Sequence, residues 1–124
     1  MRKHLVALLL VAVCLLSIGT WTAPLFAATE TVTGEVVSLS CYFQNKKNVG
    51  KAGLLCAQAT VKYEGNPVGI VTADGKVYQL AGGLVANNNA KLVPLLSHKV
   101  SVTGEVSKKA GMMVISADEA KDVK

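Results

Sequence analysis

The sequence describes a mainly β protein, a small five-stranded barrel with one or two short helices. Three observations point there. The pentapeptide VTGEV occurs twice, at residues 32–36 and 102–106, 70 residues apart. Two pairs of apolar-alternating segments, PVGIVT with KVYQL and VSVTGEV with MMVIS, are each joined by a glycine-containing turn. Between the first VTGEV and the first hairpin lies a polar, cysteine-bearing excursion with one short helical pattern.

Residues 31–38 (TVTGEVVS) alternate valine with Thr, Glu and Ser, the period of two that marks a strand with one buried face. Residues 101–108 (SVTGEVSK) do the same. A glycine inside such a strand marks a bulge or a bend, so Gly34 and Gly104 predict the coiling a small barrel needs. Residues 67–72 and 76–80 flank Ala73-Asp74-Gly75, where Asp-Gly supplies the positive φ of a tight turn. Residues 100–106 and 112–116 flank Lys108-Lys109-Ala110-Gly111, a second hairpin. In residues 54–63, Leu54, Ala57 and Val61 share one helical face and Gly65 can serve as the stop. Thr60, Val61 and Tyr63 would also suit a strand, but a short helix is the expectation. Gly82-Gly83 and Asn87-Asn88-Asn89 form a loop. Residues 92–97, containing Pro94, make at most a helical turn, since proline is tolerated mainly in a first turn. The charged tail, residues 118–124, is expected to fray. Five strands with a helical piece between the third and fourth are similar to the OB-fold, a partly open Greek-key barrel.

The first residues give the chain an address. Arg2 and Lys3 precede an apolar run from Leu5 to Ile18, and Gly19, Thr20, Thr22 and Pro24 then loosen the chain before Ala27-Ala28. That order predicts a secretory signal peptide over residues 1–27, followed by the barrel domain (28–117) and the tail (118–124). The rival is an uncleaved membrane anchor of about 20 residues, and only in that case does a membrane become a partner. Cys14 leaves with the leader. The 97 residues from Ala28 hold eleven lysines, no arginine and eight acids, with the lysines scattered along the chain. A net charge of this size aids solubility without implying nucleic acid or acidic lipid.

Two cysteines remain, Cys41 and Cys56. In an oxidising compartment they have one possible pairing. The bridge would close a loop of about 15 residues, worth about 3 kcal/mol in the chain-entropy model. The intervening QNKKNVGKAG has little apolar material to hold itself down, so a structural disulfide is the expectation. A metal clip is the first alternative, but zinc wants about four donors and residues 40–60 contain no histidine and no acid. His98 lies far along the chain and reads as a strand-end surface residue. A redox pair is the second alternative, and it would favour Cys-x-x-Cys spacing. No motif calls for a cofactor.

GEVVSLSC (34–41), PVGIVTADGKVYQL (67–80) and VSVTGEV (100–106) resemble, in kind and order, segments of a group of small exported bacterial OB-like proteins of unknown function. The likeness covers most of residues 31–117. It implies an exported OB-like domain with a cysteine-bearing segment after the first strand. Members often carry a histidine and closely spaced cysteines there, which this chain lacks, so the resemblance also favours the disulfide over a metal.

These features lead to an exported, non-catalytic binding or interaction module for an unknown protein or small molecule. The candidate binding surface is Tyr42, Lys46, Lys47, Lys51 and Tyr63, beside the cysteine loop. A metal- or redox-linked role for the cysteines, and a small hydrolase, are the alternatives. No Gly-x-Ser-x-Gly elbow is present, and Glu35 and Glu105 are the one tempting carboxylate pair. Four aromatics and no arginine in the exported part are poor equipment for stacking on single-stranded nucleic acid.

Overall fold

A computed structural model describes residues 28–123. The leader, with its signal-peptide and anchor readings, lies outside the described residues. Among those described, no helix is long and apolar enough to cross a membrane.

Six strands form one sheet: β1 (Ala28–Ser38), β2 (Val68–Val71), β3 (Val77–Ala81), β4 (Lys99–Lys109), β5 (Met112–Ser116) and β6 (Ala120–Asp122). The hydrogen-bonded order β1-β2-β3-β5-β4 closes on itself through a β1–β4 pairing, with β3 and β5 parallel and the other ladders antiparallel. This is the closed five-stranded OB-like barrel that the element order predicts. The β1–β2 connection carries two helices, α1 (Leu39–Gln44) and α2 (Gly50–Ala57), and α2 runs on as a π-helical turn, Gln58–Tyr63. The helix expected over residues 54–63 is therefore present and starts earlier, and Gly65, at φ 66°, ends it. The β3–β4 connection is made of short turns, among them a 3-10 turn at Val93–Leu95 with Pro94 in its first turn.

The period of two places Val32 and Val36 of β1, and Val100, Val102 and Val106 of β4, in the core. Ile70, Tyr78, Leu80 and Ile115 join them, and Ala57, Val61, Leu84, Leu92 and Leu96 complete the cluster from the two long connections. Each fully buried aliphatic side chain contributes about 1.5–3 kcal/mol.

Gly34 and Gly104 do what strand glycines predict, for an identifiable steric reason. β1 pairs with β4 through Glu35 and with β2 from Glu35 onward, so it changes partner beside Gly34. A Cβ at Gly34 would collide with the Val71 carbonyl oxygen and the Ile70 side chain. β4 runs against β6 before Gly104 and against β5 after it, and a Cβ at Gly104 would collide with the Ser116 carbonyl oxygen. Close backbone crossing at these points excludes any side chain.

The tail corrects the sequence reading. Residues 120–122 were expected to fray but form β6, with Ala120, Lys121 and Asp122 opposite Val102, Ser101 and Val100. His98 Nδ1 lies 2.9 Å from Asp122 Oδ2, tying the strand to the start of β4. Sequence inspection missed this because three residues are too few to show a period.

Candidate functional site

The β1–β2 excursion is the most elaborated part of the molecule, and its construction starts from the end of β1. Ser38 is only 1% exposed. Its Oγ lies 3.0 Å from Ser40 Oγ and 2.7 Å from Thr60 Oγ1, and Asn66 Nδ2 donates to Ser40 Oγ at 3.2 Å. Thr60 Oγ1 is also 2.9 Å from the Cys56 carbonyl oxygen. Thr60 Oγ1 donates toward Ser38 Oγ and toward the Cys56 carbonyl oxygen, and Asn66 donates to Ser40, so three hydroxyls and an amide form one connected chain that offsets the cost of burying Ser38.

Beside this chain, Cys41 of α1 and Cys56 of α2 form a disulfide, with Cα atoms 6.2 Å apart and a sequence separation of 15. Cys41 Sγ lies 3.5 Å from Thr60 Oγ1. A disulfide of this kind persists in an oxidising, non-cytoplasmic environment. Among the described residues no group of three or more His, Cys, Asp or Glu gathers around a possible metal position.

The underside of the excursion is held by a second apolar cluster, separate from the barrel core. Val37, Leu39 and Tyr42 form it, with Val49, Val71, Val77 and Met112 packed against them. Val37, Val71 and Val77 are out of phase with the core residues Val36, Ile70 and Tyr78, so they face outward. The α1 segment therefore lies over the outer surface of β1–β2–β3, close enough that Leu39 excludes a Cβ at Gly69. In OB-folds generally, the face of strands 2 and 3 is the one used for ligands; here α1 occupies part of it.

This packing corrects one assignment. Tyr42, expected on the binding surface, is only 7% exposed. Its ring is buried in the outer cluster and supports the surface instead of forming it. Lys46, Lys47 and Lys51 are exposed, at the turn between the helices and in the first turn of α2. Tyr63 is 76% exposed, with Lys62 Nζ 5.3 Å from its ring centroid, a cation–π distance.

Sequence reasoning missed Phe43 and Leu55, which are 54% and 80% exposed. Helical spacing offered the signal for Leu55, because Lys51, Leu55, Gln58 and Lys62 lie opposite the buried Ala57 and Val61. It also missed where the charge lies. Residues 39–67 carry Lys46, Lys47, Lys51 and Lys62 against Glu64 alone, whereas the rest of 28–124 holds seven lysines and seven acids. The net +3 of residues 28–124 sits on the excursion.

The remaining candidates are kept apart. Glu35, half-buried, accepts the Gly50 backbone N–H at 3.0 Å and so caps α2. It stands opposite Lys99 while Glu105 stands opposite Thr29, six residues along the same ladder. At about 3.3 Å per residue that is about 20 Å, well beyond the spacing of paired hydrolytic carboxylates.

Fold and site together define a disulfide-braced OB-like barrel with a basic helical excursion. No family model matches the chain, and no curated protein or solved structure matches it either.

Proposed function

We propose that the protein is an exported, non-catalytic binding module, and that the upper face of the excursion is its contact surface. The observation that carries this reading is the coincidence of net charge, exposed apolar side chains and bracing on one segment. Exposed Phe43, Leu55 and Tyr63 lie on the same short stretch of chain as four lysines, and disulfide, hydroxyl chain and outer cluster all fix that stretch. Holding a surface rigid in advance lowers the ordering cost of binding. Its partner, a protein or small molecule, carries an acidic or electronegative face. The leader pattern and the disulfide support export, and the bacterial group that the segments resemble supports it further. A non-catalytic role is supported by Ser38, Ser40 and Thr60 being spent on one another, Glu35 being spent on a helix cap, and Glu105 lying far from it.

The test places a photo-crosslinking amino acid at Leu55 and, separately, at Ala73 on the β2–β3 hairpin, in the full chain in its producing cell. Adducts from position 55 but not 73, lost when Lys47 and Lys51 become Glu, are the expected result. No adduct at 55, or equal adducts at both positions, contradicts the reading.

A further inference from the structure

At the end of the excursion, where β2 begins and β3 ends, the structure holds a cleft of about 250 Å³. Four carboxamides line it: Asn66, Gln79, Asn88 and Asn89. No lining residue is ionisable and none is aromatic. Asn66 and Asn88 are fixed on one side, since Asn66 Nδ2 donates to Ser40 Oγ and Asn88 Nδ2 donates to the Lys62 carbonyl oxygen, at 3.2 Å each. Their Oδ1 atoms remain as acceptors.

Asn89 is the sharper observation. It is only 7% exposed, yet no hydrogen bond joins its side chain to another described residue. No described side-chain polar atom is sealed from solvent without a partner, so the residual exposure of this amide opens on the cleft it lines. Its donor and acceptor are thus offered to whatever occupies the cleft. The backbone around it is unusual: Asn87, Asn88 and Asn89 have φ of 55°, 54° and 60°. Asparagine tolerates the left-handed region best among non-glycine residues, but three in succession is a strained turn, and such strain collects at ligand sites.

From this geometry we infer that the cleft binds a neutral polyhydroxyl ligand, a saccharide ring presenting neighbouring hydroxyls. Each carboxamide donates and accepts, as each hydroxyl does, and Pro67 and Val85 give the ring's C–H face an apolar wall. The lining residues themselves carry no charge, and the neighbouring Glu64 carboxylate is engaged by Asn66 Nδ2 at 3.3 Å. A nucleobase would find no aromatic ring to stack on. An extended peptide cannot add as a strand, because β2 is paired on both sides by β1 and β3, and β3 by β2 and β5. The side chains that would touch this ligand are not those of the proposed contact surface, Phe43, Leu55, Tyr63 and the four lysines, so the two readings are tested separately.

The test is an NMR titration of the 15N-labelled domain, disulfide intact, with glucose, galactose, mannose and N-acetylglucosamine, and with N-acetyl-glycyl-glycinamide as the peptide probe. Saturable shifts of the Asn66, Gln79, Asn88 and Asn89 side-chain amides with at least one sugar are expected. Asn89→Gly keeps the left-handed backbone while removing the amide, and Gln79→Met removes the second amide from a strand interior. Each is expected to weaken that sugar about tenfold, the loss of one well-placed hydrogen bond. Absence of saturable shifts with every sugar, shifts that both folded variants retain, or shifts with the peptide alone would each overturn the inference.

Discussion

Val32 stands directly opposite Val102 in the β1–β4 ladder, and both are the first residue of a VTGEV pentapeptide. The two copies are therefore related by a local two-fold axis through this pair and run away from it in opposite directions: Thr31 faces Thr103, Thr33 faces Ser101, and the Thr31 and Thr103 hydroxyl oxygens are 2.8 Å apart. Each copy then meets its second neighbour beside its own glycine. One short pattern, used twice, closes the barrel.

Gly34→Ala and Gly104→Ala are accordingly expected to destabilise the domain by about 3 kcal/mol each, at the upper end of overpacking costs, because backbone carbonyls stand in the way. Chemical denaturation reads this as a lower midpoint at unchanged slope. Gly75→Ala, in a turn with no atom near enough to collide with a Cβ, is expected to cost less, about 1 kcal/mol from its φ of 84° alone.

The β4–β5 turn can be improved. Ala110 and Gly111 both have positive φ, 49° and 79°, the signature of the two-residue turn for which Asn-Gly is preferred. Ala110→Asn is expected to raise stability by about 1 kcal/mol. No gain in the thermal midpoint would show that the turn is not under this strain.

Thr60→Val is expected to cost about 1–3 kcal/mol, although the shape is conserved, because Ser38 and the Cys56 carbonyl both lose the Thr60 hydroxyl as a donor. Hydrogen exchange should quicken first in α1 and the π-helical turn. Equal loss of protection in β4 would mean that the hydroxyl chain does not act locally.

Asp74 offers a pH test. The Thr72 hydroxyl, and with it the backbone N–H and charge of Lys76, hold its carboxyl below the ordinary value of 3.8. A carboxyl with a lowered folded-state pKa adds stability above its unfolded pKa and loses it as pH falls through the folded one. The side chain is exposed, so the effect is local to the hairpin. Thr72→Val should return the carboxyl to the ordinary range in an NMR titration; no movement would assign the shift to another group.

The barrel was legible because its strands repeat with period two and its hairpins end in glycine. The helix over residues 54–63 was legible from Leu54, Ala57 and Val61, which do pack inward. Leu39–Gln44 was not, since it has only six residues and no side-chain cap, with the Ser38 hydroxyl committed to the buried chain. Tyr42 reads as a surface aromatic until α1 is placed over Val71 and Val77, a tertiary contact that no local pattern encodes. Asn89 reads as loop for the same reason: its burial depends on segments brought together from the excursion and β3.

The account rests on the excursion being pinned. Removing the bridge by Cys41→Ser with Cys56→Ser is expected to cost about 3 kcal/mol and to loosen residues 39–66 ahead of the barrel. The most direct measurement is peptide mapping of protein recovered from its producing cell, alkylated without reduction. One fragment joining Cys41 to Cys56, with neither sulfur alkylated, is the predicted result; full alkylation of both in folded material would contradict it.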